Sequence, residues 1–188
     1  MCIRDSQKTG LVVDAYFSAT KIAWLIENEP QVAKKVKTGE AVFGTVDSWL
    51  IYQLSKLGGE AEFVTEPSNA SRTMLFNIAE GKWDSELLEL FGISEANLAK
   101  VRPSAGEFCK TKIKDELIPV LSVLGDQQAS LYGLSCDEPG QAKCTFGTGA
   151  FMLSFSGGKL PEPEKGILST VAWQKEKELT YALSLIHI

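Results

Sequence analysis

"IPVLSVLGDQQASLYG", residues 118–133, joins a run of strand-forming apolar residues to a polar step and then to a helical pattern. The run 118–124 predicts a buried strand, and "QQASLYGLSC" predicts the helix that leaves it. Asp126, Gln127 and Gln128 then stand in a row at the top of that strand, where desolvation is costly unless each finds a partner. Either Asp126 starts the helix as its N-cap, or it faces a cleft and does chemistry there, or both. A carboxylate at the carboxyl end of a strand in an α/β sheet sits where ligands bind.

Outward from this step, the chain before it alternates helical and extended patterns. "SATKIAWLIEN" places Ile22, Ala23, Leu25 and Ile26 on one helical face, with Ser18 or Thr20 available to cap. "QVAKKVKTG" predicts a short helix ended by Gly39, and "VDSWLIYQLS" one entered at Asp47 and closed before Gly58. "AVFGT" and "AEFVTE" predict strands, the second ended by Pro67. "WDSELLELFG" predicts a helix capped by Asp84 with Gly92 past its end, and "SEANLAKV" repeats the plan up to Pro103. After Leu134 the pattern turns β-rich: "QAKCTFGTGAFMLSFSGG" is a hairpin signature, and "ILSTVAWQ" and "LTYAL" predict two more strands.

The 188 residues suffice for one good core or parts of two domains, with 44% hydrophobic and 23% charged residues. A formal charge of −5 argues against a nucleic-acid or anionic-membrane surface, and "KKVKTGE" reads as a solvated helix face. No apolar stretch is long enough to predict a membrane span, and no secretory signal is visible. Cys2, Cys109, Cys136 and Cys144 show no CxxC pairing and predict buried thiols of a reducing compartment. A single histidine, His187, all but removes a His-based base or metal site, and the sequon at Asn69–Ser71 is incidental.

"TFGTGAF", residues 145–151, sets beside the Asp126 step a second element that can carry chemistry. Glycines in a strand–turn–strand let backbone N–H groups approach phosphate oxygens, and Thr148 adds a hydroxyl; by itself the sequence is an ordinary hairpin turn. No Walker A and no G-x-G-x-x-G pattern occurs. In "DAYFSATKIAWLIEN", Tyr16 and Phe17 either line a cleft at a helix start or form a hydrophobic staple. "SNASRTMLFN", polar and irregular with Arg72 in its middle, is either a fourth piece of a site or a surface loop whose Arg72 makes one ion pair.

"DAYFSATKIAWLIEN", "GEAVFGTVDSWLIYQL", "SNASRTMLFN", "LGDQQASLYG" and "AKCTFGTGAFML", in this order, resemble the FGGY carbohydrate kinase family, and within it the branch that phosphorylates glycerol. The resemblance implies an α/β fold of the actin-like ATPase type, two ribonuclease-H-like domains around a hinged cleft. It implies ATP-dependent phosphorylation of glycerol to sn-glycerol 3-phosphate with Mg²⁺, in the cytoplasm, and leaves homo-oligomerisation of the parent open. Position by position, Asp126 matches the catalytic base, Gln127 and Tyr16 match glycerol-contacting residues, and Phe151 matches apolar packing on the glycerol carbons. Gly147, Thr148 and Gly149 match the hairpin that contacts nucleotide phosphates; Ala150 departs from the cysteine more usual there. Another FGGY sugar or polyol kinase and a non-catalytic polyol- or nucleotide-binding paralogue are the competing expectations.

The resemblance divides the chain into residues 8–134, from the polyol-binding N-terminal domain, and 135–183, the start of the nucleotide-binding C-terminal domain. "MCIRDS" and "SLIHI" resemble translated sequencing-adapter read-through, so 1–7 and 184–188 are expected to be non-native and foreign to the fold. The chain is then expected to be an internal fragment, inactive alone, whose strands after Leu134 have nothing to pack against.

Overall fold

A computed structural model describes residues 2–147, 149–162 and 166–187. In chain order the elements are α1 (Cys2–Thr9), α2 (Ser18–Asn28), α3 (Pro30–Thr38), α4 (Val46–Gly58), β1 (Val64–Thr65), α5 (Pro67–Ala70), β2 (Phe76–Asn77), β3 (Lys82–Trp83) and α6 (Ser85–Leu90). A 3₁₀ turn (Glu95–Asn97) leads to β4 (Lys100–Val101), β5 (Ala105–Ile113), β6 (Glu116–Ser122), α7 (Asp126–Gly133), β7 (Ala142–Phe146), β8 (Ala150–Gly157), β9 (Leu168–Lys175) and β10 (Glu178–His187).

The helices fall where their patterns put them, but their entrances differ. Neither Ser18 nor Thr20 caps α2: its start is packed against the loop at Thr73, whose carbonyl accepts from the Ala19 N–H at 2.9 Å. Thr45, not Asp47, precedes α4, because the Asp47 carboxylate is turned inward to accept from Thr65 Oγ1 of β1 at 2.8 Å. α3 ends at Gly39 and α6 is capped by Asp84, both as expected.

Three extended or helical expectations are corrected. "AVFGT" and "AEFVTE" yield only the parallel bridge Phe43–Leu98 and the two-residue β1, paired in parallel with β4. "SEANLAKV" stops after one 3₁₀ turn, because Asn97 is buried and its amide donates to the Val36 and Ala41 carbonyls, after which the chain extends into β4. The run 118–124 is not a buried strand: β6 is mostly exposed and forms an antiparallel hairpin with β5, a strand the sequence pattern did not reveal. An unbroken apolar run reads as buried on both faces, yet here Val120 and Val123 pack inward against Ile51, Val64, Phe108 and Cys109, Leu124 packs against the cluster around Leu131, and Ile118 and Leu121 are exposed.

β7–β10 form one antiparallel sheet in the order β7-β8-β10-β9. Alternation along its strands buries both faces. Val171 and Tyr181 join the principal cluster with Leu11, Phe17, Ile22, Leu75 and Phe76, while Ala172, Ala182, Leu153 and Phe155 pack with Leu131 of α7. Those strands therefore have a core to pack against, contrary to expectation. The ends are also built in. Residues 2–7 lie in α1, and Lys8 at its end bonds Asp84 at 3.0 Å and Glu86 at 2.9 Å. Ser184 is buried and residues 184–187 continue β10 along β8 as far as the His187–Ala150 pair, so the expected foreign tail is strand; residue 188 lies outside the described residues.

Where α1 leaves for the core, Gly10 adopts φ +70° and its carbonyl accepts from the Ser169 N–H of β9 at 2.9 Å. A Cβ there would lie 2.2 Å from the Ser169 carbonyl oxygen.

Candidate functional site

Glu66 is the anchor from which the site is built. It stands before Pro67 and caps α5, accepting from the Ser68 N–H at 2.9 Å, and from the Asn69 N–H at 2.7 Å and amide Nδ2 at 2.8 Å. It also accepts from the Ser68 hydroxyl, and from Ser104 Oγ at 2.7 Å, with no cation among these partners. Burial pushes its carboxyl above the usual carboxylate range, opposed by the donors on Ser68, Ser104 and Asn69. A raised folded-state value makes the Glu66 contribution full in acid and progressively lost as pH rises through it. The Glu66→Gln variant is therefore expected to gain on the wild type as pH rises from the ordinary carboxylate range toward neutrality. Urea midpoints for both proteins across that range check this, and a pH-independent difference between them would refute it.

Ser68 carries the anchor onward, its Oγ accepting from the Gly125 N–H at 2.9 Å. Gly125 is the N-cap of α7, so Asp126 is the first helical residue and not the cap. Among the described residues its Oδ1 accepts only from the adjacent Gln127 N–H, at 2.8 Å, and the side chain is exposed. The polar triplet thus divides its labour. Gln128 is buried and donates to Thr170 Oγ1 at 3.4 Å and the Val171 carbonyl at 3.2 Å, pinning the helix to the sheet. Gln127 is half-buried, and its Oε1 accepts from Lys143 Nζ. Asp126 keeps its carboxylate for the cleft.

That cleft has a volume of about 360 Å³. Asp126, Gln127, Tyr16 and Phe151 all line it, so four of the residues singled out from separate sequence segments meet there. Tyr16 is 63% exposed and packs edge-on to the buried Phe17 at 5.4 Å. Phe17 thereby serves the core and Tyr16 the cleft. Asn69 and Arg72 supply further polar wall, and Thr170 and Ser184 the sheet side.

Arg72 corrects the expectation of a surface ion pair. Its guanidinium lies 5.3 Å from the Phe17 ring centroid, Nη1 is buried without a hydrogen bond, and no carboxylate pairs with it among the described residues. Burial pulls its pKa down, partly opposed by Tyr16. The hairpin glycines stand apart from the cleft. Gly147 donates to the Gly149 carbonyl at 3.0 Å, closing the turn, but neither lines the cavity, and Thr148 lies outside the described residues. Of the described thiols, Cys109 and Cys136 are buried as expected, whereas Cys144 on β7 is exposed, against expectation.

Sequence reasoning missed Glu66 and Lys143. For Glu66 a signal existed: an acceptor side chain directly before Pro at the first helical position marks a helix start, whereas Pro67 read only as a strand terminator. Lys143 carries no local signal, because its partner is on another element.

Two seam contacts join the walls. Ser71 Oγ and Thr170 Oγ1 share a hydrogen bond at 3.1 Å. Ser104 and Gln174 exchange two at 2.9 Å, the Ser104 N–H to the Gln174 carbonyl and the Gln174 N–H to Ser104 Oγ.

Comparison with known proteins follows this geometry. Residues 4–133 match the model of the FGGY family of carbohydrate kinases, N-terminal domain. A glycerol kinase of Bdellovibrio bacteriovorus is 49% identical over 180 residues, covering 94% of this chain and 36% of the relative. One from Shewanella frigidimarina is 48% identical over 177 residues, covering 94% and 35%. Among solved structures, Plasmodium falciparum glycerol kinase with ADP superposes with a TM-score of 0.90 at 34% identity, over 97% of this chain and 37% of that one. The xylulose kinase of Rhodospirillum rubrum gives 0.81 at 16% identity, over 97% and 36%, a likeness of fold alone. The chain spans about a third of the length of these proteins.

Proposed function

We propose, for a chain that belongs to the FGGY family of carbohydrate kinases and has their actin-like ATPase fold, that it carries the acceptor side of an active site transferring the ATP γ-phosphoryl group to glycerol. The product is sn-glycerol 3-phosphate. The single observation behind this reading is the cleft that gathers Tyr16, Asp126, Gln127 and Phe151. Phosphoryl transfer asks a protein mainly for positioning and charge stabilisation, plus a group that accepts the hydroxyl proton. Asp126 is that base: exposed, at the start of a helix, and hydrogen-bonded among the described residues only by its neighbour's N–H. Gln127 and Tyr16 hold the other hydroxyls, and Phe151 packs on the carbon chain.

The hairpin of Gly147, Thr148 and Gly149 is assigned to the nucleotide phosphates. Among the described residues no cluster of His, Cys, Asp or Glu could hold a metal ion. Mg²⁺ characteristically binds through substrate phosphates and few carboxylates, and it would enter with the nucleotide to neutralise phosphate charge. The division at Leu134 between polyol-binding and nucleotide-binding parts, and a reducing, cytoplasmic setting, belong to the same reading. No described helix is long and apolar enough to cross a membrane.

Coupled ADP release tests the reading, with a full-length protein carrying this sequence and a panel of glycerol, pentuloses and longer polyols. Turnover should be highest with glycerol, and preference for a pentulose would refute it. In the same assay Phe151→Ala should raise the glycerol KM more than it lowers kcat, since packing on carbon acts in the ground state too. It should also relax rejection of longer polyols by about 1–3 kcal/mol. Unchanged KM and selectivity would remove Phe151 from the pocket.

A further inference from the structure

Lys143 is a lysine placed where lysines rarely lie. It sits on β7, 4% exposed, with its ammonium turned under the cleft instead of into water. Burying a charge is costly without compensating partners. Nζ finds two: it donates to Gln127 Oε1 and, at 2.8 Å, to Thr145 Oγ1. Among the described residues no carboxylate forms a salt bridge with it. Burial pulls its pKa down, and the negative charge of Asp126 is the largest influence pushing it back. A hydrophobic side chain of similar length would fill the same space without the desolvation cost, so packing alone does not explain an amine here.

What the amine does is orient an amide. A glutamine side chain has a carbonyl end that accepts and an NH₂ end that donates, and a half-turn about its last bond exchanges them. With Oε1 held by Lys143, Nε2 is the end of Gln127 left for the cleft it lines. Beside it Asp126 presents an acceptor. We propose that Lys143 is a positioning residue of the acceptor site: it locks the Gln127 amide so that the cleft shows a donor next to the Asp126 acceptor, a pair matched to neighbouring hydroxyls of a polyol. This rests on the functional reading above. The geometry also couples two elements, since Lys143 belongs to the β7–β8 hairpin and Gln127 to α7. The hairpin that carries Phe151 thus also fixes the hydrogen-bonding face of the helix.

The test uses the 188-residue chain, its Lys143→Met and Lys143→Arg variants, and two readouts. The first is the order of the Gln127 side-chain amide by ¹⁵N relaxation, without ligand. It should be rigid in the wild type, mobile in Lys143→Met, and largely restored in Lys143→Arg. The second is glycerol titration by NMR, where Lys143→Met should raise Kd about tenfold, the scale of one charge-assisted hydrogen bond, while the melting temperature holds or rises. An amide equally ordered in wild type and Lys143→Met overturns the proposal, whatever glycerol does. So does an affinity loss that merely tracks loss of stability. If the amide responds as expected but no form binds glycerol, the positioning role stands and the glycerol reading falls.

Discussion

Asp126→Asn, made in a full-length protein carrying this sequence, is expected to lower kcat for glycerol phosphorylation by roughly 10²–10⁴-fold, the usual contribution of a positioned base. The replacement is isosteric and can still hydrogen-bond, so glycerol affinity should change little. What it removes is the ability to take the proton as the hydroxyl attacks phosphorus. The fold should tolerate it: the side chain is exposed, and its one hydrogen bond among the described residues is from the adjacent Gln127 N–H. The residual cost is the lost interaction of a carboxylate with a helix N-terminus, about 0.3–1 kcal/mol. Steady-state kinetics paired with a melting curve separates the two effects. Near-normal turnover would reduce Asp126 to a residue that merely opens α7.

A loss of about 3–5 kcal/mol is expected for Gly10→Ala, from two terms that add. The left-handed backbone at φ +70° costs an L residue about 1–2 kcal/mol. The new methyl would then press to 2.2 Å on the Ser169 carbonyl oxygen, backbone that is held in the sheet by its own hydrogen bonds. Gly39 calibrates the first term alone, because it has φ +74° but open space around its missing side chain. Gly39→Ala should thus shift the urea midpoint far less. Equal losses for the two would show that the Gly10 contact relaxes freely.

Much of the helical half was legible in the sequence because its signals are local: Gly39 past α3 and Asp84 before α6 act within a turn of their own helix. The hairpin and the two strands after it were legible for the same reason. Long-range partners decided the failures. Asn97 converts a helical pattern into a turn by reaching carbonyls at Val36 and Ala41. Residues 118–124 look buried until β5 is known to pair beside them. Periodicity also misjudged the last residues, since 184–187 gain their order from β8 and not from any pattern of their own. In the site, the residue pattern brought Tyr16, Asp126 and Gln127 to notice and resemblance added Phe151, and the fold brings the four to one cleft. Glu66 and Lys143 escaped because each acts on a residue that itself faces the cleft, one step removed from any motif.

The seam through Ser71–Thr170 and Ser104–Gln174 has a consequence for descent. Each pair joins positions far apart in the chain, and Ser104 also answers to Glu66. Loss of the hydroxyl at Ser71 or Ser104 leaves a polar group of its partner without that hydrogen bond. Ser104 is therefore coupled to Glu66 side chain to side chain, whereas it meets Gln174 through backbone groups that any residue at 174 supplies. The hydroxyls of the seam are therefore constrained by partners distant in the chain, while the exposed positions of β6 are free of that constraint.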